Sequence, residues 1–157
     1  MGLSEKSQNG WKASKDQAEI GVKSYPIPGT TIKLRCASAC APILVAFAAE
    51  FHELVEPIDE GTLDTWGYAY RPVRGQTEGL SNHSSGSAID LNANAHPLSK
   101  ENTFNPAQQA MIQSLIKKYS LVWGGNYKKR KDDMHFEIKD TPEEVAALIK
   151  KLKLKKG

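Results

Sequence analysis

The sequence has no hydrophobic run long enough to cross a membrane. Its most apolar stretch, Ala41–Ala49, is much shorter than the roughly 20 residues that a transmembrane helix needs. The stretch also lies too far inside the chain to be the core of a signal peptide. Because residues 1–16 are polar, we expect a protein made in a cytoplasm without a secretory signal. Another component would then have to carry it to any substrate outside the cell.

Cysteine is scarce, with Cys36 and Cys40 as the two present. Their spacing would stack them on one helical face, which is a poor geometry for a disulfide. It also differs from the two-residue gap of a zinc knuckle. We therefore predict two small buried thiols, which give no support for an oxidising compartment.

An excess of charge of one sign is also lacking, because the formal net charge is +3. This charge is too small to indicate nucleic-acid binding on its own, and no interleaving of aromatic and basic residues supports it. Hydrophobic residues make up 39% and charged residues 25% of the 157 positions. These values are typical of a soluble globular protein. With no internal repeat and no interior linker, we predict one domain over residues 1–157, with residues 1–30 as a polar, turn-prone N-terminal extension.

The pattern of apolar residues predicts a mixed fold. Strands are predicted at Thr31–Arg35, Thr65–Arg71, Ala88–Leu91 (as a central strand), Leu121–Trp123 and Met134–Ile138. Helices are predicted over Ala39–Val55, after the N-cap Asn105 with Pro106 first, and after Thr141 with Pro142 first. Because strands and helices do not alternate regularly, we predict an α+β fold with a small, mainly antiparallel sheet flanked by helices.

Two of the four histidines have neighbours that indicate metal binding. His83 precedes Asp90 by seven residues, and Gly86 between them permits a tight turn that would bring imidazole and carboxylate together. Both groups are good zinc ligands, and His135 on a nearby strand could supply a third ligand and leave one coordination position open. The spacing alone is weak evidence. The other two, His52 and His96, are expected to be ordinary surface or partly buried histidines.

A family resemblance strengthens this hypothesis. The pattern Ser-x-His-x-x-Gly-x-Ala-x-Asp is matched at Ser81, His83, Gly86, Ala88 and Asp90. A second motif, an acid three residues before a histidine, is matched at Asp132 and His135, and a third, an aromatic–Arg pair, at Tyr70-Arg71. The segment from Trp66 to Ile138 thus resembles the LAS group of zinc peptidases, within it the D-Ala-D-Ala carboxypeptidase and L-alanyl-D-glutamate endopeptidase family. The resemblance implies the hedgehog/DD-peptidase-like fold and a catalytic Zn²⁺ bound by His83, Asp90 and His135.

The resemblance also implies roles for other residues. Asp132 would be the general acid/base, although the alternation of the following strand favours Asp133. Arg71 would hold the substrate or its oxyanion, with Arg74 as the rival, and Ser81 would contact the substrate backbone. Further candidates for orienting a ligand or lining the cleft are Glu137, Gln76 and Trp123.

An aspartate at position 132, with Trp123–Gly125 before it and His135–Glu137 after it, is similar to phage endolysin endopeptidases. The segment Trp66–Gly75 especially resembles a phage lysin of actinobacterial hosts. The resemblance implies a monomer that cuts the peptidoglycan stem peptide between L-alanine and D-glutamate, after holin-dependent release from the host cytoplasm. The alternatives are a D-Ala-D-Ala carboxypeptidase or dipeptidase, and a non-catalytic hedgehog-like cell-wall-binding module. The basic C-terminal end, with Lys150, Lys151, Lys153, Lys155 and Lys156, either caps a solvated helix or attracts anionic cell-wall polymers. We expect no nucleic-acid partner and no membrane span.

Overall fold

A computed structural model describes residues 5–61, 63–71 and 79–155. Within these ranges the chain contains α-helices and small antiparallel sheets, which confirms the predicted α+β class. None of the helices in the same ranges has the length and apolar character needed to span a bilayer.

The strands and helices are numbered in chain order. The strands are β1 (Glu5–Lys6), β2 (Lys12–Ala13), β3 (Val22–Pro26), β4 (Lys33–Ala37), β5 (Ala88–Asp90), β6 (Leu121–Trp123) and β7 (His135–Ile138). The α-helices are α1 (Ala41–Leu54), α2 (Pro106–Tyr119) and α3 (Pro142–Leu152). Three short 3₁₀ helices lie at Gln17–Ile20, Asn82–Ser85 and Gly124–Asn126.

The helix boundaries follow from capping chemistry. Asn105 and Gln108 form a reciprocal capping box at the start of α2, and Thr141 and Glu144 form another at the start of α3. Each box satisfies backbone N–H groups that have no partner inside the helix. The predicted starts of both helices are therefore confirmed, whereas α1 begins two residues later than the predicted Ala39.

The three-stranded sheet has the order β5-β7-β6, with both pairings antiparallel. The central strand is therefore β7, and the prediction that Ala88–Leu91 is central was wrong. The outer edge of β5 meets residue 66 in one isolated bridge. The predicted strand Thr65–Arg71 does not form, because backbone N–H groups of this segment donate in turn to carbonyls of Asp90, Arg35 and His83. Three different partners cannot make one continuous ladder.

The core lies between α1 and the three-stranded sheet. Phe47 and Phe51 of α1 are fully buried, and the Phe47 ring lies 4.7 Å from the ring of Phe136 on β7. Cys36 and Cys40 are buried free thiols, as predicted. Their expected placement on one helical face was wrong, because Cys36 belongs to β4 and Cys40 directly precedes α1.

The N-terminal extension is folded onto the rest of the domain rather than being a polar tail. The turn between β1 and β2 carries Asn9, whose backbone N–H donates to Asn82 Oδ1 at 2.8 Å. The Asn9 side-chain amide donates to Ser87 Oγ and to the carbonyl of Ile138, both at 2.8 Å. These bonds attach the first hairpin to the turn before β5 and to the end of β7.

We predict that Asn9→Ala lowers the free energy of unfolding by roughly 1–3 kcal/mol, because the carbonyl of buried Ile138 and the hydroxyl of buried Ser87 lose a donor. Urea unfolding of the two proteins measures the difference. The control is Gln8→Ala, at an exposed neighbouring position. Equal unfolding midpoints for Asn9→Ala and the unsubstituted protein would contradict the anchoring role.

Candidate active site

A tight turn and the sheet register bring three sequence-distant side chains together. The turn is the 3₁₀ helix Asn82–Ser85, in which Ser81 Oγ accepts the backbone N–H of His83 at 3.2 Å. Gly86 ends the turn with φ of 68°, and a Cβ there would lie 2.5 Å from the backbone nitrogen of Ala37. Glycine is thus required here, both for its backbone angle and for the close approach. Register then places Asp90 of β5 opposite His135 of β7.

The three predicted ligands form a buried cluster. Asp90 Oδ1 lies 3.2 Å from His83 Nε2 and 3.1 Å from His135 Nδ1. One ligand atom from each residue lies within 4.8 Å of the others. The exposed fractions of the residues are 2% for His83, 5% for Asp90 and 8% for His135. The arrangement offers two imidazole nitrogens and one carboxylate oxygen, which is a zinc-type ligand set.

The remaining ring nitrogens have partners that orient both imidazoles. His83 Nδ1 lies 2.8 Å from the carbonyl oxygen of Gly67, which can only accept, so Nδ1 carries the proton. A Cβ at Gly67 would lie 1.9 Å from the carbonyl oxygen of Arg35, so glycine is required for this placement. His135 Nε2 lies 2.7 Å from Glu137 Oε1, which also accepts the hydroxyl of Tyr127 at 3.0 Å.

The hydrogen bonds around the two histidines fit a metal site. With Nδ1 protonated, His83 presents the lone pair of Nε2 towards Asp90, and this buried nitrogen has no hydrogen-bond partner among the described residues. A buried polar atom without a partner is costly in a folded protein. A cation between His83, Asp90 and His135 would satisfy it, and the outer partners Gly67 and Glu137 are of the kind that orient metal-bound histidines.

The electrostatics of the cluster favour charged groups. Burial by itself would raise the pKa of Asp90, but the charges and hydrogen bonds of His83 and His135 outweigh it and lower the pKa. Burial would lower the pKa of His135, but hydrogen bonds and charges of Asp90 and Glu137 raise it to about 10. Without a metal, His135 therefore holds a proton between two carboxylates at neutral pH.

The adjacent aspartates lie in different surroundings. Asp132 lines the cleft next to the His83–Asp90–His135 cluster. Asp133 is buried, and its Oδ2 accepts the backbone N–H and the hydroxyl of Thr103 at 3.0 and 2.6 Å. The structure thus brings Asp132, and not Asp133, to the cleft.

Arg71 and Ser81 also line this cleft. The backbone of Arg71 is fixed by the N–H of Ser81, which donates to its carbonyl at 3.0 Å, and by Ser84 Oγ, which accepts its N–H at 2.9 Å. Two further candidates, Arg74 and Gln76, lie outside the described residues.

Two expectations about side chains near the cleft were wrong. Trp123 does not line the cleft but is a core residue, and its indole N–H donates to the carbonyl of Asp133 at 2.8 Å. His96 was expected at the surface or partly buried, yet it is 2% exposed. Its two ring nitrogens have polar partners that let it enter the interior.

Sequence reasoning missed several cleft residues. The missed side chains that line the cleft are those of Gln8, Asn82, Leu98, Tyr127, Arg130 and Met134. Gln8 comes from the first hairpin, which the motif resemblance does not reach. Tyr127 follows the Gly-Gly pair at 124–125 and precedes the motif of Asp132 and His135. Its position in the sequence could therefore have indicated a cleft residue.

We predict that zinc binding at pH 7 releases about one proton, because a ligand nitrogen of His135 must lose its proton first. Calorimetric zinc titrations in buffers of different ionisation enthalpy measure this number. Glu137→Gln should release less, since one of the two groups that raise the pKa of His135 is then lost. The sign is fixed by the raised pKa: zinc affinity should fall as the pH is lowered, and pH-independent binding without proton release would contradict this.

Comparison with known proteins agrees with this geometry over part of the chain. Residues 74–138, less than half of the sequence, match a family model described as D-alanyl-D-alanine carboxypeptidase. No curated protein and no solved structure matches the chain. Peptidases of the matched family are zinc enzymes, and the His-Asp-His cluster could bind such an ion. The matched range includes all three residues of the cluster.

Proposed function

We propose that the protein is a zinc-dependent endopeptidase that hydrolyses the stem peptide of peptidoglycan between L-alanine and D-glutamate. The observation that carries the proposal is one cleft that holds His83, Asp90 and His135 together with an acid, Asp132, and a cationic hydrogen-bond donor, Arg71. Amide hydrolysis requires an activated water, a stabiliser for the oxyanion and a proton for the leaving amine. The cleft contains a residue suited to each of these tasks.

His83, Asp90 and His135 would hold the zinc, which supplies a water of lowered pKa and polarises the scissile carbonyl. Asp132 accepts the proton of the attacking water at its carboxylate and delivers it to the nitrogen of the leaving amine. In the metal-loaded protein, Glu137 keeps His135 oriented by accepting its Nε2 proton, and Tyr127 holds Glu137 in place.

Arg71 and Ser81 position the substrate. The guanidinium of Arg71 donates to the carbonyl oxygen as negative charge develops on it. Ser81 Oγ is already the acceptor for the backbone N–H of His83, and its hydroxyl proton can be donated to a carbonyl of the stem peptide. One residue thus links the ligand turn to the substrate backbone.

The choice of bond and of biological setting comes from the sequence resemblance. Asp132 and the Trp123–Gly125 segment are similar to phage endolysin endopeptidases, and we propose release from the host cytoplasm by a holin. The lysines of α3 would add attraction to anionic wall polymers, since Lys150 and Lys151 are exposed in its last turn. We propose that the monomer acts as a single domain over residues 1–157.

A second candidate function is removal of terminal D-alanine, as a D-Ala-D-Ala carboxypeptidase or dipeptidase. The description of the matched family favours it. Both candidates use the same zinc chemistry and differ in the peptide that the cleft accepts.

We predict that the protein digests purified walls and creates new L-alanine carboxyl and D-glutamate amino termini, and that a chelator stops the reaction. Mass spectrometry of the soluble fragments identifies the termini, and added zinc should restore them. Release of D-alanine alone would instead establish the carboxypeptidase. Digestion that a chelator leaves unchanged would contradict both functions.

We predict that Asp132→Ala retains zinc affinity but lowers kcat by roughly 10²–10⁴-fold, because the general acid/base is removed and the ligands remain. Zinc affinity is measured by chelator competition and kcat on a synthetic stem peptide. Asp140→Ala is the matched control, since Asp140 uses its backbone carbonyl, not its side chain, to accept the indole N–H of Trp11. A fully active Asp132→Ala would refute the assignment of the acid/base to this residue.

A further inference from the structure

A buried chain of hydrogen bonds runs from the end of α1 to the loop before β7. Glu56 Oε2 lies 2.7 Å from His96 Nε2, and His96 Nδ1 lies 2.6 Å from Thr103 Oγ1. The Thr103 hydroxyl and backbone N–H both donate to Asp133 Oδ2, at 2.6 and 3.0 Å. We call these four residues the Glu56–Asp133 chain. Its last member is the neighbour of Asp132 in the sequence.

The donors in this chain have fixed directions. A carboxylate can only accept, so the single hydroxyl proton of Thr103 points to Asp133. Thr103 Oγ1 must then accept from His96, which places a proton on Nδ1. At its other ring nitrogen His96 contacts the Glu56 carboxylate, so it links one carboxylate directly and a second through Thr103.

Two members of the chain, His96 and Asp133, are buried. His96 is 2% and Asp133 3% exposed, and buried charges persist only when they are paired and hydrogen-bonded. Burial would raise the pKa of Glu56, but hydrogen bonds from His96 and Asn92 outweigh it and lower the pKa. The ring of Phe104 stacks on His96 at a centroid distance of 3.8 Å and holds the plane of the imidazole.

The chain ends in the turn that carries Asp132. This turn is closed by the N–H of His135, which donates to the carbonyl of Asp132 at 3.0 Å. Asp133 is the second residue of the turn, and Thr103 holds its side chain in the interior. With Asp133 directed inward, the orientation of the turn is set and Asp132 faces the cleft. Two chemically equivalent carboxylates are in this way given different surroundings.

We propose that His96 is a positioning residue which, through Thr103 and Asp133, keeps Asp132 rather than Asp133 at the cleft. The inference rests on the proposed function, because that function gives Asp132 its role as acid/base. His96 itself lies outside the set of residues that line the cleft within the described ranges. It acts on the geometry of the base, whereas the zinc ligands are oriented by Gly67 and Glu137.

The test uses two variants that interrupt the chain at different bonds. Thr103→Val removes the hydroxyl and keeps the volume and the backbone N–H, and His96→Gln removes the imidazole. Each should lower kcat on a stem peptide by about 10-fold or more, with KM and zinc affinity within about twofold. If both act through one chain, the double variant should lose little more than either single variant.

His52→Gln is the matched control. His52 is a partly buried histidine near the end of α1, and its Nδ1 accepts the N–H of Ile58 at 3.1 Å without joining the Glu56–Asp133 chain. The same substitution there should leave kcat unchanged. Loss of activity in His52→Gln equal to that in His96→Gln would overturn the proposal, since general disturbance near α1 would then explain both.

Amide hydrogen exchange supplies a readout that does not depend on turnover. Peptides that cover residues 131–135 should exchange faster in Thr103→Val and His96→Gln than in the unsubstituted protein and in His52→Gln. A lower melting temperature with unchanged kcat and unchanged local exchange would overturn the proposal and leave His96 a merely structural residue. Faster local exchange in a protein that cleaves no wall peptide would refute the proposed function while supporting the control of this turn by His96.

Discussion

The buried carboxylate of Asp90 is the constraint around which the site is built. Removing a carboxylate from water costs several kcal/mol unless opposite charge and hydrogen bonds compensate. His135 provides a hydrogen bond at 3.1 Å, and a cation held by Asp90 and by His83 Nε2, 3.2 Å away, would complete the compensation. Both histidines must be present, and local helix or strand geometry alone brings neither of them close to Asp90. The turn after Ser81 and the pairing of β5 with β7 are the means by which the chain brings them there.

The same constraint explains the outer contacts. An imidazole that faces a carboxylate can do so through either nitrogen, so its orientation has to be imposed from outside. The carbonyl of Gly67 imposes it on His83, and Glu137 imposes it on His135. The segment that carries Gly67 therefore cannot become a regular strand, because its carbonyl must be available to His83 while neighbouring N–H groups reach other partners. The absent ladder at residues 65–71 follows from the demands of the site.

How far the sequence predicted the molecule depends on the range of the interactions. The N-caps of α2 and α3 and the turn at residue 86 are local, and the sequence alone predicted them. The grouping of His83 with Asp90 was only weakly indicated by spacing, and His135 entered through the resemblance. The place of Cys36 and the central position of β7 were missed, because apolar periodicity does not encode strand order. His96 was misjudged for a related reason: its burial depends on Glu56 and Thr103, which no sequence pattern connects to it.

The proposed zinc ligands and the proposed acid/base are supported by different parts of the fold. His83, Asp90 and His135 depend on a turn, two paired strands and the segment at residue 67. Asp132 belongs to a turn whose inward residue is held, through side chains, from the end of α1. Metal affinity and proton transfer can therefore vary separately, since a change in one support leaves the other in place. Under the proposed function, a substrate peptide in the cleft would contact both sets at once, and catalysis would require their alignment. The N-terminal hairpin adds to this alignment, because Asn9 bonds both to the turn Asn82–Ser85, through Asn82, and to the end of β7, through Ile138.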